Sequence, residues 1–100
     1  VAYCKKGLCY FELKNYAKAI SSFDNAIALD PKNGRYYFYK GKALYEEKRK
    51  NDAMYSFDKA IALKYNLVDS YYYKGRCLYD LNFYDEVFGS FIRIRNYRGY

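Results

Sequence analysis

The sequence predicts an all-α fold of three stacked helix-turn-helix units, on three observations. The first is self-repetition: Tyr3, Gly7, Tyr10, Ala19, Phe23 and Ala26 return 34 residues later as Tyr37, Gly41, Leu44, Ala53, Phe57 and Ala60. A third copy opens at the same interval with Tyr71, Gly75 and Leu78 and continues through Val87, Phe91 and Ile94. A fixed period of this size marks units too small to bury their own apolar faces alone. The second observation is spacing. Within each copy apolar residues recur at three and four, the helical period. The third is regular punctuation, with turn-forming residues breaking each copy once inside and once at its end.

The elements follow in order. The first helix runs from Val1 to Leu13 and stops at Lys14 to Tyr16; the second runs from Tyr16 to Leu29. Asp30-Pro31 and Asn33-Gly34 then form a strong stop, because proline cannot continue a helix and Asn-Gly tolerates left-handed backbone angles. The third helix spans Arg35 to Lys48 and the fourth Asn51 to Leu63, with the break at Arg49 to Asn51. The boundary from Lys64 to Leu67 has Tyr65 where the first boundary has Pro31, so its turn is less firmly enforced. Val68 to Leu81 and Tyr84 to Arg95 are the last two helices, parted at Asn82 and Phe83. Gly7, Gly41 and Gly75 sit inside first helices, where glycine costs about 1 kcal/mol relative to alanine. Their return in every copy calls for a packing reason. Close approach of the paired helix supplies one, with Phe23, Phe57 and Phe91 filling the wedge between them.

Composition narrows the function. One hundred residues, 52% apolar and 29% charged, suit one folded domain. No apolar run approaches the roughly 18 residues of a membrane span, and no leader pattern is present. Cys4, Cys9 and Cys77 form no CxxC pair and have no histidine to complete a metal set, so reduced thiols in a cytoplasmic or nuclear setting are the simplest account. No histidine base, glycine-rich phosphate loop or activated nucleophile is evident, so neither an enzyme nor a cofactor is expected. The chain enters and leaves within repeats, which reads as a piece of a longer array. Its end faces should then be apolar and exposed, and self-association through them is expected.

These columns resemble the tetratricopeptide repeat, a 34-residue helix-turn-helix unit with an aromatic, Gly, aromatic or Leu, then Ala, aromatic, Ala, Pro pattern. The likeness covers repeat one (1–33), repeat two (34–67) and repeat three (68–100), which together form one domain. Repeat three departs in its second helix, where Val87 and Ile94 replace alanines and Arg93, Arg95 and Arg98 make the end basic. The resemblance implies a right-handed superhelix whose first helices line a concave groove, and a role as a non-enzymatic module binding a peptide or helix of another protein. By the same resemblance the groove face carries Cys4, Phe38 and Tyr72; Leu8, Lys42 and Arg76; Phe11, Tyr45 and Tyr79; Glu12, Glu46 and Asp80; and Arg35 with Asp69. An aromatic row thus lies between a partly basic row and an acidic one, with Lys42 and Glu46 spaced for an i,i+4 pair.

One known use of the family is a clamp for the acidic tail of heat-shock chaperones, built from Lys, Asn, Asn, Lys and Arg. Those columns hold Cys4, Leu8, Tyr39, Asp69 and Tyr73 here, and none matches. Lys6, Lys40 and Lys74 precede the three glycines; their stems can pack while the ammonium reaches water, or they form a cationic stripe. Two other functions stay open. A net charge of +7 with interleaved Tyr and Lys or Arg suits nucleic acid. Against it, positive residues are spread 5, 8 and 5 over the repeats. A structural spacer in a longer array is the other.

Overall fold

The computed structural model describes the backbone of residues 2–97, leaving aside the side chains of residues 2–4, 84, 85 and 97. Six helices follow one another among the described residues: α1 (Ala2–Glu12), α2 (Tyr16–Leu29), α3 (Gly34–Glu46), α4 (Lys50–Ala62), α5 (Leu67–Asp80) and α6 (Tyr84–Tyr97). Each odd helix packs on the even helix that follows it, and α2 and α4 each pack forward on the next pair. The odd helices also touch in sequence, α1 to α3 and α3 to α5. The result is a helical repeat superhelix, as the period requires.

Glycine explains how each pair closes. A Cβ built on Gly7 would lie 2.7 Å from the Phe23 ring, on Gly41 2.8 Å from the Phe57 ring, and on Gly75 3.1 Å from the Phe91 ring. The ring occupies the space that a side chain would take. Ala19, Ala26, Ala53 and Ala60 complete the close approach and are fully or almost fully buried. Phe23 stacks on Tyr39 of the next pair at 6.1 Å, and Phe57 stacks on Tyr73 at 5.5 Å. In both cases the following repeat covers the wedge. Phe91 keeps its place beside Gly75 but is 43% exposed, against 0% for Phe57. The pair forms the seat, and only the next repeat closes it.

The turns are more uniform than the sequence suggests. Lys14, Lys48 and Asn82, at the same place in each repeat, adopt left-handed backbone angles with φ of 61°, 63° and 68°. The next amide closes each turn by reaching back, Asn15 to Tyr10, Arg49 to Leu44 and Phe83 to Leu78, all at 2.8–2.9 Å. This is the helix-ending pattern that glycine usually serves. The boundary at Lys64 uses the same device, with Tyr65 N–H donating to the Ala60 carbonyl at 2.9 Å. It therefore turns firmly without a proline. At the first boundary Asn33 is an N-cap with φ of −92°, its side chain accepting from the Arg35 amide at 3.1 Å. The expected left-handed Asn-Gly turn is absent. Gly34 instead begins α3, where a Cβ would meet that of Tyr65 at 2.6 Å, so its smallness admits the following loop.

Lys40 and Lys74 also depart from the bland expectation. Each reaches back to the preceding helix, to Asp24 and Asp58, at 2.7 Å. The repeated lysines thus tie one repeat to the next, and their ammonium groups are not simply solvated.

Candidate peptide-binding groove

The first helices α1, α3 and α5 lie side by side and carry the face on which the sequence places its candidate residues. At its centre Tyr73 of α5 meets Tyr45 of α3 at 6.3 Å between ring centroids, Phe38 at 5.9 Å and Tyr72 at 5.4 Å. Burial is the first cause raising the Tyr45 and Tyr73 hydroxyls above their ordinary pKa; for Tyr45 the hydrogen bond to Asp80 adds to it. Phe38 is a correction. It is only 3% exposed, wedged among Tyr39, Phe57, Tyr65 and Tyr73, and offers no side-chain surface to a ligand. Tyr72, in the same column one repeat on, is 40% exposed, and Tyr79 is 60% exposed. Leu8 and Phe11 are half-buried against the core, and Cys4 lies outside the described side chains.

Cations sit on this aromatic floor. The Lys42 ammonium lies 5.5–5.7 Å from the ring centroids of Phe11, Phe38, Tyr39 and Tyr73. The expected pair with Glu46 is not formed; the ammonium lies against the four rings instead. The Arg76 guanidinium lies 5.7 Å from Tyr45 and 5.8 Å from Tyr72, and donates to the Tyr72 hydroxyl at 3.1 Å. Arg35 stands over Tyr39 at 5.8 Å. Such contacts are worth about 0.5–1 kcal/mol each at exposed sites. Their larger effect is to fix the cations in one place.

The acidic row is less free. Asp80 accepts from Lys50 at 2.9 Å and from the Tyr45 hydroxyl at 3.1 Å, while Lys50 also lies 4.8 Å from the Tyr45 ring. These contacts, Lys50 first, hold the Asp80 carboxyl below its ordinary pKa. Asp69 accepts from the Asn66 amide at 3.0 Å. Glu12 and Glu46 are exposed at the rim. Behind the face, Cys77 is fully buried, and burial pushes its thiol up to about 11, which removes it from thiolate chemistry.

Residues 1–33 match the family model described as tetratricopeptide repeat. That match covers the first third of the chain. The solved tetratricopeptide repeat (TPR) structures it resembles include the first TPR of Spaghetti (RPAP3) bound to the HSP90 peptide SRMEEVD, 22% identical with a TM-score of 0.88 over 95% of this chain and 77% of that one. The Arabidopsis OM64 TPR domain is 24% identical with a TM-score of 0.89, over 94% and 78%. MamA is 23% identical with a TM-score of 0.88; the match covers 94% of this chain and 55% of MamA, so this chain spans about half of that protein. No curated protein matches the chain. Among the described residues no helix is long and apolar enough to cross a membrane.

Residue-by-residue reading of the TPR groove missed three members of the site. Tyr39 and Tyr73 enter the sequence argument only as places where a clamp residue is lacking, yet they form the floor. Their 34-residue spacing was the available signal. Lys50 belongs to a second helix and reaches the groove rim from outside the column scheme, so no repeat pattern points to it.

Proposed function

We propose that this TPR chain is a non-enzymatic interaction module that binds a peptide or helix of a partner protein in the groove formed by α1, α3 and α5. One observation carries the reading: Tyr72 and Tyr79 stand exposed beside an ordered floor of Tyr39, Tyr45 and Tyr73. Rigid aromatic side chains with charged flanks are the usual anchors of binding hot spots. Tyr45 is a poor probe, because its hydroxyl also ties α3 to Asp80. Tyr72 and Tyr79 are the better ones. Capture from nuclease-treated lysate with the full chain and with a Tyr72→Ala, Tyr79→Ala variant should retain partner proteins on the first bait and lose them on the second. Equal retention by both would place binding elsewhere and leave a spacer role the better account. The chaperone-tail clamp is not proposed, since Cys4, Leu8, Tyr39, Asp69 and Tyr73 at its columns supply none of the cationic or amide donors it requires.

A further inference from the structure

Several cations of this chain are paired with carboxylates. Lys40, Lys50, Lys74 and Arg49 each lie within 3.0 Å of a carboxylate, at Asp24, Asp80, Asp58 and Asp52. Lys42 and Arg76 do not. Among the described residues no carboxylate is within ion-pair distance of either, and each rests on aromatic rings within the groove. A ring face attracts a cation but leaves most of its N–H donors unused. Both groups are therefore charged, held in position and still able to donate.

We propose that Lys42 and Arg76 are two separate anion seats that read two acidic side chains within an internal segment of the partner protein. This rests on the groove reading above and names the chemistry of its ligand. The seats occupy the column directly after Gly41 and Gly75, whereas the chaperone-tail clamp uses other columns for all but Leu8. They rest on different rings, Lys42 on Phe11, Phe38, Tyr39 and Tyr73 and Arg76 on Tyr45 and Tyr72, so each cation has its own floor. A terminal carboxylate needs several donors around one group. Two isolated single charges instead suit Asp or Glu side chains spaced along a chain, and in an extended peptide alternate side chains project to the same side. Exposed Tyr72 and Tyr79 then contact the intervening apolar residues. Glu12 and Glu46 at the rim would repel a continuous run of phosphates but accept a peptide of mixed charge, so a protein segment fits better than nucleic acid.

The test selects random peptides displayed with no free carboxyl terminus against the full chain, and remeasures the enriched sequences on variants. Wild type should enrich peptides carrying two spaced acidic residues. The Lys42→Gln, Arg76→Gln variant should bind them at least about tenfold more weakly with an unchanged circular dichroism spectrum. Lys42→Arg, Arg76→Lys, which keeps both charges, should largely restore binding and thereby separates charge from folding. Peptides lost on Tyr72→Ala, Tyr79→Ala but held fully by the double glutamine variant would overturn the anion seats while the groove stands. Enriched peptides without paired acids would overturn them too. If no peptide is enriched, the groove reading fails and the seats with it. Single-stranded DNA bound with steep salt dependence and lost on the glutamine variant would assign the seats to phosphate and overturn the proposal.

Discussion

Repeat two and repeat three place the same ring on the same glycine, and only one of those rings is buried. Phe57 is closed off by Tyr73 of the next repeat, whereas Phe91 has the same seat on Gly75 but lies 43% exposed. The first-helix column repeats the lesson: Phe38 is covered by Tyr65 and Tyr73, and Tyr72, its counterpart, is open. Burial in this chain is a property of the junction between neighbouring repeats. A helix pair by itself sets geometry but not closure.

Mutation at the two phenylalanines should break the comparison most forcefully. Phe57→Ala opens a fully buried site and is expected to cost about 3–5 kcal/mol. Phe91→Ala should cost about 1–2 kcal/mol, because much of that ring already meets water. Urea denaturation of both variants, followed by circular dichroism, measures the difference.

The glycines sharpen it, since they should differ in sign. Gly41→Ala pushes a methyl into a ring with no room to move, and overpacking of about 1–3 kcal/mol outweighs the helix gain of about 1 kcal/mol. Gly75→Ala meets a ring that can swing outward, so the variant should be neutral or slightly stabilised. Thermal melts of the two single variants check this.

Turn backbones give a smaller contrast. Lysine pays for its left-handed angles more than asparagine does, so Lys48→Gly should raise stability by about 0.5–1 kcal/mol while Asn82→Gly changes little. The same melts read it out.

The smallest effect is electrostatic. Asp80 has a lowered folded-state pKa, so its contribution is present above the ordinary carboxylate range near 3.8 and is lost as pH falls through the lower folded value. Asp80→Asn should remove that acid-side loss, by no more than about 1 kcal/mol for an exposed pair. Denaturation at pH 7 and at pH 3 for wild type and variant would show it; an identical pH response in both would refute the assignment.

The period, the six helices and the glycine-to-phenylalanine contact were legible in the sequence because each is fixed by local spacing. Helix ends fell within two residues of those observed, except at α1, where the residue before Ala2 lies outside the described part. What escaped depends on neighbours. A helical wheel of α3 alone cannot show that Tyr65 and Tyr73 bury Phe38, nor that Asp24 waits for Lys40 across the junction. Lys14, Lys48 and Lys64 carry turns for which glycine or asparagine is the expected signal. In the groove, the outward residues Tyr72, Tyr79, Lys42 and Arg76 were readable from their column. The rings against which Lys42 lies come from three different helices and were not.

Amide hydrogen exchange resolved by residue tests the junction account most directly, without altering the protein. The account predicts the slowest exchange in the buried faces of α3 and α4, which have neighbours on both sides, and markedly faster exchange through opening of α6. Equal protection of α4 and α6 would contradict it, because closure would then belong to each helix pair and not to the next repeat.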